Sequence, residues 1–175
     1  MKVSVVGATG YAGAELLRIL YNHSEARVVH VTSESSAGKK ISDMYPHMVG
    51  LCELELETLD NIEEIGRDSD FIFIGLPAGH AMKIARQLAE LPVRIIDLGA
   101  DFRFDDVKTY EKWYKIEHTY PEALRVYGLA ELTREQVRGA KIIGNAGCYT
   151  TASILALAPL AGAKLVEADS LVIDA

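Results

Sequence analysis

Apolar and polar positions along the chain fall into blocks that predict strands and helices in turn. Lys2–Val6 is a short β-branched run, Gly7-Ala8-Thr9-Gly10-Tyr11-Ala12-Gly13 follows it, and Leu16, Leu17 and Leu20 then recur at helical spacing. That order predicts strand, glycine turn, helix. Arg27–Thr32 predicts a second strand. Leu51–Glu57 alternates, with Cys52, Leu54 and Leu56 on one face and Glu53, Glu55 and Glu57 on the other. This predicts a half-buried strand with its acids in solvent and Cys52 as a core filler. A short helix is expected over Asp60–Arg67. Asp70–Leu76 is apolar without alternation, as in a parallel strand covered on both faces, and Pro77-Ala78-Gly79-His80 ends it. Further along, the pattern predicts a helix over Ala81–Glu90, a strand over Val93–Leu98 and a short helix over Thr109–Ile116. Tyr110, Trp113 and Tyr114 give that last helix an aromatic face suited to packing. Glu117–Glu131 reads as irregular connection, Thr133-Arg134-Glu135-Gln136 as the start of a helix, and Ala140–Gly144 as a strand. An alanine- and leucine-rich helix is expected over Thr151–Leu160, and a terminal strand over Leu171–Ala175. Strands alternating with helices throughout predict an α/β fold with a doubly wound, mostly parallel sheet.

Composition narrows the function classes. The 175 residues are 49% hydrophobic, enough for one well-packed domain and slightly more. A formal net charge of −7 argues against a general nucleic-acid binder, which needs a basic face. No apolar run is long enough for a membrane helix. Val3–Val6 is too short for the core of a signal peptide. The two cysteines, Cys52 and Cys148, make no disulfide framework, so a reduced, cytoplasmic protein is expected.

Three stretches carry candidate chemistry. Gly7 can take the positive φ of a tight turn, and a residue without Cβ at Gly10 lets a pyrophosphate approach the backbone at a helix start. The spacing is G-x-x-G-x-x-G rather than the commoner G-x-G-x-x-G of dinucleotide sites. After the second strand, Glu34 stands near where an acid takes the ribose hydroxyls of NAD. Ser33, Ser36, Lys39 and Lys40 around it suit the 2′-phosphate of NADP instead, and the residues leave that choice open. Leu76, Pro77 and His80 fall at the carboxyl edge of a strand, where a cofactor lies in such sheets. Finally, Gly144-Asn145-Ala146-Gly147-Cys148 runs from a strand into a helix. A thiol at a helix N-terminus has a raised thiolate fraction, and nearby N–H groups can receive an oxyanion. The alternative for Cys148 is an inert structural cysteine. No metal site is expected.

Residues 7–16, Ser36-Ala37-Gly38-Lys39, Asp97-Leu98-Gly99-Ala100-Asp101-Phe102-Arg103, Tyr127–Leu132 and Gly147-Cys148-Tyr149 resemble, in order along the chain, the N-acetyl-γ-glutamyl-phosphate reductases of arginine biosynthesis. The resemblance implies a Rossmann-type domain over residues 1–148 that binds NADP(H) through Gly7, Thr9, Gly10, Tyr11, Ala12, Gly13, Ser33, Ser36, Lys39, Leu76 and Pro77. It implies catalysis by Cys148, a small-molecule acyl-phosphate substrate, and residues 149–175 leading into a second α/β domain. Arg103, whose guanidinium suits phosphate oxygens, and Asn145 are the candidates to meet that substrate. A structural surface role for Arg103 stays open. In the complete enzyme the resemblance implies a homo-oligomer and a catalytic histidine beyond residue 175, since none of His23, His30, His47, His80 or His118 matches its motif. The chain therefore reads as the N-terminal portion of such an enzyme, expected to bind cofactor without turning over alone. Ala146 and Thr150 stand where the family usually has proline, which leaves this turn less restricted. Alternatives are a related acyl-phosphate reductase of aspartate-semialdehyde or aminoadipyl-phosphate type, or a catalytically silent NADP-binding module.

Overall fold

The computed structural model describes residues 1–174. β1 (Lys2–Val6) leads into α1 (Tyr11–Leu20), then β2 (Arg27–Thr32), a single turn α2 (Ile41–Met44), β3 (Leu56–Glu57) and α3 (Ile62–Arg67). β4 (Phe71–Ile74), α4 (Ala81–Gln87), β5 (Arg94–Asp97), α5 (Val107–Tyr114), β6 (Arg125–Gly128), α6 (Ala130–Gly139), β7 (Ile142–Asn145) and α7 (Cys148–Gly162) follow. The seven strands form one sheet in the order β3-β2-β1-β4-β5-β7-β6, and every pairing is parallel. The expected doubly wound α/β architecture is therefore present. Strands are added outward on one side of β1 through β2 and β3 and on its other side from β4 onward, so the crevice at the carboxyl ends of β1 and β4 is the topological switch point where such sheets take ligands.

Both faces of the sheet are packed, which is why its central strands read as apolar runs. Val3 and Val5 of β1 point with Val28 and Val31 into one core, where Leu17 and Leu20 of α1 and the buried Ile41, Met48, Cys52 and Leu56 join them. Val6, Ile72, Ile74 and Ile95 point the other way, into a second core with Ile62, Ile65, Met82, Leu88, Phe102 and Tyr110. β4 serves both: Phe71 and Phe73 pack on the first core, Ile72 and Ile74 on the second.

Four local expectations change. Of Leu51–Glu57, only Leu56–Glu57 is a strand. The alternation holds, with Cys52 and Leu56 buried and Glu53 and Glu55 exposed. However, Leu51 and Cys52 N–H groups turn back onto the Met48 carbonyl, and Gly38–Ile41 takes the backbone of Leu54 and Leu56. Glu117–Glu131 is not wholly irregular: Arg125–Gly128 is the edge strand β6, paired to β7. With one arginine and one glycine in four residues, that strand carries no apolar run to announce it. The helix expected from Thr133 begins at Ala130, and Thr133 marks a kink where its hydroxyl bonds the Tyr127 and Leu129 carbonyls. Leu171–Asp174 forms no strand, for no ladder partner lies beside it among the described residues, and Ala175, the last residue of the expected strand, lies outside them.

Candidate active site

The glycine turn is built by close approach. Gly7 has φ +79°, and a Cβ there would lie 2.5 Å from the carbonyl oxygen of Gly75, the residue just past the neighbouring β4. Gly13 packs so tightly on the Gly7 carbonyl that a Cβ would overlap it, which seats α1 against the end of β1. The first bond of α1 runs from Ala14 N–H to the Gly10 carbonyl at 2.9 Å. The N–H groups of Tyr11, Ala12 and Gly13 thus have no partner within the helix, and no acidic residue stands in its first turn. Unpaired N–H groups and the positive end of the helix dipole suit a pyrophosphate.

Around this helix start lies a cleft of about 290 Å³ lined by Gly7, Thr9, Gly10, Thr32, Ser33, Glu34, Leu59 and Leu76. Thr9 and Ser33 hydroxyls meet at 2.8 Å, and the Tyr45 hydroxyl donates to the Thr9 carbonyl at 2.7 Å, so the loops after β1 and β2 are fixed to each other. The Glu34 carboxylate accepts the Leu59 N–H at 2.9 Å. A neighbouring cleft of about 380 Å³ shares Glu34, Leu59 and Leu76 and adds Asp60, His80 and Lys83. Of the other expected cofactor residues, Tyr11, Ala12 and Pro77 are exposed at the same edge, and Ser36 is buried in the turn after β2. Lys39 is exposed but lines neither cleft, and Lys40 reaches out to Glu53 at 3.4 Å.

On the far side of the switch point, Gly147 caps α7 and Cys148 is its first residue, exposed to solvent. Helix bonding starts from Thr151 N–H to the Gly147 carbonyl, at 2.8 Å, which leaves the N–H groups of Cys148, Tyr149 and Thr150 without helical partners. Cys148 opens on a cleft of about 620 Å³ with Arg103, Tyr114, Tyr127, Tyr149 and Thr150 in its walls. Arg103 lies under the cysteine turn: Nε donates to the Asn145 carbonyl at 2.8 Å and Nη2 to the Leu98 carbonyl at 3.1 Å. Its Nη1 faces Gly147, at 3.2 Å from where a Cβ would stand, and makes no hydrogen bond among the described residues. Arg103 is thus both a brace and an open donor. Asn145 folds its side-chain amide onto the Ala146 carbonyl at 3.1 Å and does not line the cleft; its backbone holds Arg103 instead.

Sequence reasoning did not find Tyr127 or the network beneath the arginine. Tyr127 reaches the cleft because β6 pairs with β7, and its hydroxyl meets Thr150 Oγ1 at 3.3 Å. Asp101 is buried and accepts from Gly79 N–H, Met82 N–H and the Tyr110 hydroxyl at 2.8, 3.1 and 2.8 Å. Tyr110 is therefore more than part of a packing stripe. His118 accepts from Tyr120 N–H at Nδ1, leaving Nε2–H to donate to the Asp101 carbonyl at 2.8 Å. These bonds tie the loop bearing Arg103 to the start of α4 and to α5.

Asp97, wholly buried at the end of β5, accepts from Gly99 and Phe102 N–H at 2.8 and 3.3 Å. Burial first, then the nearby Asp101 carboxylate, push its pKa up to about 6 from the ordinary 3.8, against the pull of those N–H groups and of Arg103. The folded chain then binds the Asp97 proton more tightly than the unfolded one, so this group's contribution to stability falls as pH rises from about 4 to about 6. Asp97→Asn is expected to remove that loss, making the variant about 2–3 kcal/mol better, relative to the unaltered chain, at pH 7 than at pH 4. Urea unfolding at the two pH values measures it; an equal difference at both would refute the assignment.

The comparisons with known proteins agree with this geometry. Residues 2–140 match the family model described as semialdehyde dehydrogenase, NAD binding domain. A curated N-acetyl-γ-glutamyl-phosphate reductase from Pelotomaculum thermopropionicum is 50% identical over 99% of this chain and 50% of its own length. One from Desulforamulus reducens is 48% identical over 100% of the chain and 51% of its length. The chain spans about half the length of the curated relatives it matches. Among solved structures, aspartate semialdehyde dehydrogenase II from Vibrio cholerae aligns with a TM-score of 0.67 at 22% identity, over 93% of this chain and 46% of that one. The Candida albicans aspartate semialdehyde dehydrogenase solved with NADP aligns at 0.62 and 20%, over 93% and 47%. With its sheet order, its glycine turn and a family model running from β1 to the end of α6, the chain belongs to the family of semialdehyde dehydrogenase NAD-binding domains.

Proposed function

We propose that this chain is the cofactor-binding, thiol-bearing part of an NADP(H)-dependent N-acetyl-γ-glutamyl-phosphate reductase. The observation that carries the reading is the exposed Cys148 thiol at the start of α7, beside the open Nη1 of Arg103 and on the same sheet edge as the glycine cleft. The names of the relatives from Pelotomaculum thermopropionicum and Desulforamulus reducens select the substrate.

In this reading the Cys148 thiolate attacks the acyl carbon of N-acetyl-γ-glutamyl phosphate and inorganic phosphate leaves with the bonding pair, forming a thioester. The free N–H groups of the first turn of α7 receive the oxyanion of the tetrahedral intermediate. Arg103 Nη1 is the donor for the departing phosphate, since a guanidinium suits phosphate oxygens. When bound, NADPH would supply the hydride that, with one proton, reduces the Cys148 thioester to N-acetylglutamate 5-semialdehyde and frees the thiol. The N–H groups of Tyr11, Ala12 and Gly13 would hold the pyrophosphate of that cofactor, and the Thr9–Ser33 hydrogen bond fixes the loop beside them. No histidine lines the Cys148 cleft among the described residues; the titratable side chains in its walls besides the thiol and Arg103 are Asp105, Tyr114, Tyr127 and Tyr149. The cytoplasm keeps such a thiol reduced.

The test is protection. N-acetyl-γ-glutamyl phosphate should slow iodoacetamide labelling of Cys148 at least about tenfold, and β-aspartyl phosphate should not, because the substrate competes for the same thiol. Equal protection by β-aspartyl phosphate would favour the aspartate-semialdehyde chemistry; no protection by either would leave a silent nucleotide-binding module.

A further inference from the structure

The groove beside the glycine turn carries an acid that the proposed reaction does not use. Glu34 follows β2, and its Oε1 is held by the Leu59 N–H at 2.9 Å. Both residues line the glycine cleft and also the cleft next to it. Sheet order says which end of a dinucleotide would lie there. The pyrophosphate belongs at the start of α1, above β1. β4, β5 and β7 lie to one side and lead to Cys148, so the reacting half extends that way. β2 and β3 lie to the other side, which leaves the nucleoside half over the end of β2, at Glu34.

The charges around that position are unfavourable to a second phosphate. Glu34 and Asp60 are the acids in the walls of the two clefts, and Lys83 is the one lysine or arginine among the lining residues. Lys39 lines neither cleft and Lys40 is turned to Glu53. The Ser33 hydroxyl is already paired with Thr9. A carboxylate accepts a hydrogen bond from a ribose 2′-hydroxyl, whereas a 2′-phosphate brings roughly −1.5 to −2 charges against it.

Resting on the nucleotide reading above, we propose that Glu34 is a determinant of cofactor selectivity: anchored by Leu59 N–H, its carboxylate accepts the ribose 2′-hydroxyl and opposes the 2′-phosphate. The chain then takes NADH as well as NADPH, and the Glu34 carboxylate weighs against NADPH in that choice.

Glu34→Gln keeps an oxygen for the Leu59 N–H while removing the charge, and Glu34 is exposed, so the fold is kept. Calorimetric titration of the 175-residue chain with NADPH and NADH, repeated with 2′,5′-ADP and 5′-AMP, reads the effect. Glu34→Gln should raise the ratio of NADH to NADPH dissociation constants about tenfold at low salt, mostly by tighter NADPH, and the gain should shrink at high salt. The 2′,5′-ADP to 5′-AMP pair should move in parallel, and Glu34→Lys should carry the ratio further. A ratio that moves less than twofold in both variants, while nucleotides still bind, overturns the role of Glu34 alone. No binding of either dinucleotide to the unaltered chain or the variants overturns the groove reading and this proposal with it.

Discussion

Cys148→Ser is expected to abolish covalent capture of N-acetyl-γ-glutamyl phosphate, lowering the acylation rate by about 10³-fold or more, while the dissociation constant for NADPH changes by less than about twofold. A serine hydroxyl ionises far above any working pH, so it supplies almost no anion for the attack. Cofactor affinity is spared because Cys148 opens on the Arg103 cleft and not on the one around Gly7 and Gly10. Mass spectrometry after brief exposure to the acyl phosphate reads the acyl adduct directly, and calorimetry reads the NADPH affinity. The natural control is the other thiol. Cys52 is fully buried against residues such as Leu56 and Val31. Cys52→Ser should therefore keep full acylation and lose about 1–2 kcal/mol of stability from a hydroxyl at a buried site where Tyr21 is the neighbouring polar side chain. An undiminished adduct on Cys148→Ser would move the nucleophile elsewhere in the chain.

What the sequence disclosed and what it hid have separate physical causes. β1, the glycine turn and α1 were legible because they are local: a β-branched run, a positive-φ turn and leucines at helical spacing specify themselves within about twenty residues. Cys148 at the start of a helix was legible for the same reason. β4 was visible because both of its faces are buried, so it is apolar without alternation. By contrast, β6 is a four-residue edge strand with Arg125 and Gly128 in it, and only its pairing with β7 makes it a strand. Tyr127 was missed with it, although it forms one wall of the cysteine cleft. The bonds from Asp101 to Gly79, Met82 and Tyr110 join residues up to 22 positions apart, and no periodicity encodes them. The Arg103 position was suspected from chemistry, but its double role depends on the Asn145 and Leu98 carbonyls, which only the folded loop brings under it. Asn145 is a substrate candidate by its place in the sequence; the folded loop turns its side-chain amide onto the Ala146 carbonyl and sets its own carbonyl under Arg103, which no local pattern discloses.

Gly7→Ala should damage both the fold and the cofactor cleft with a single added methyl. Two costs add. An alanine at φ +79° pays roughly 1–2 kcal/mol for the left-handed backbone. Its Cβ also falls 2.5 Å from the Gly75 carbonyl oxygen and 3.0 Å from a Leu76 methyl, so β1 and β4 must part at the switch point, for about 1–3 kcal/mol more. The total, about 2–5 kcal/mol, is a large fraction of the stability of a domain this size. Gly50→Ala separates the two terms, because Gly50 has φ +76° and nothing within 4 Å of an added Cβ. That variant should lose the backbone term alone, about 1–2 kcal/mol, and bind NADPH normally. Gly7→Ala should lose at least about 1 kcal/mol more in urea unfolding, with an unchanged slope. It should also weaken NADPH by about tenfold or more, since a displacement of the loop between Gly7 and Gly10 takes the free N–H groups of Tyr11, Ala12 and Gly13 away from the pyrophosphate. If the two alanines cost the same and NADPH binds both chains equally, the close approach of β1 to β4 at Gly7 has no part in shaping the cleft.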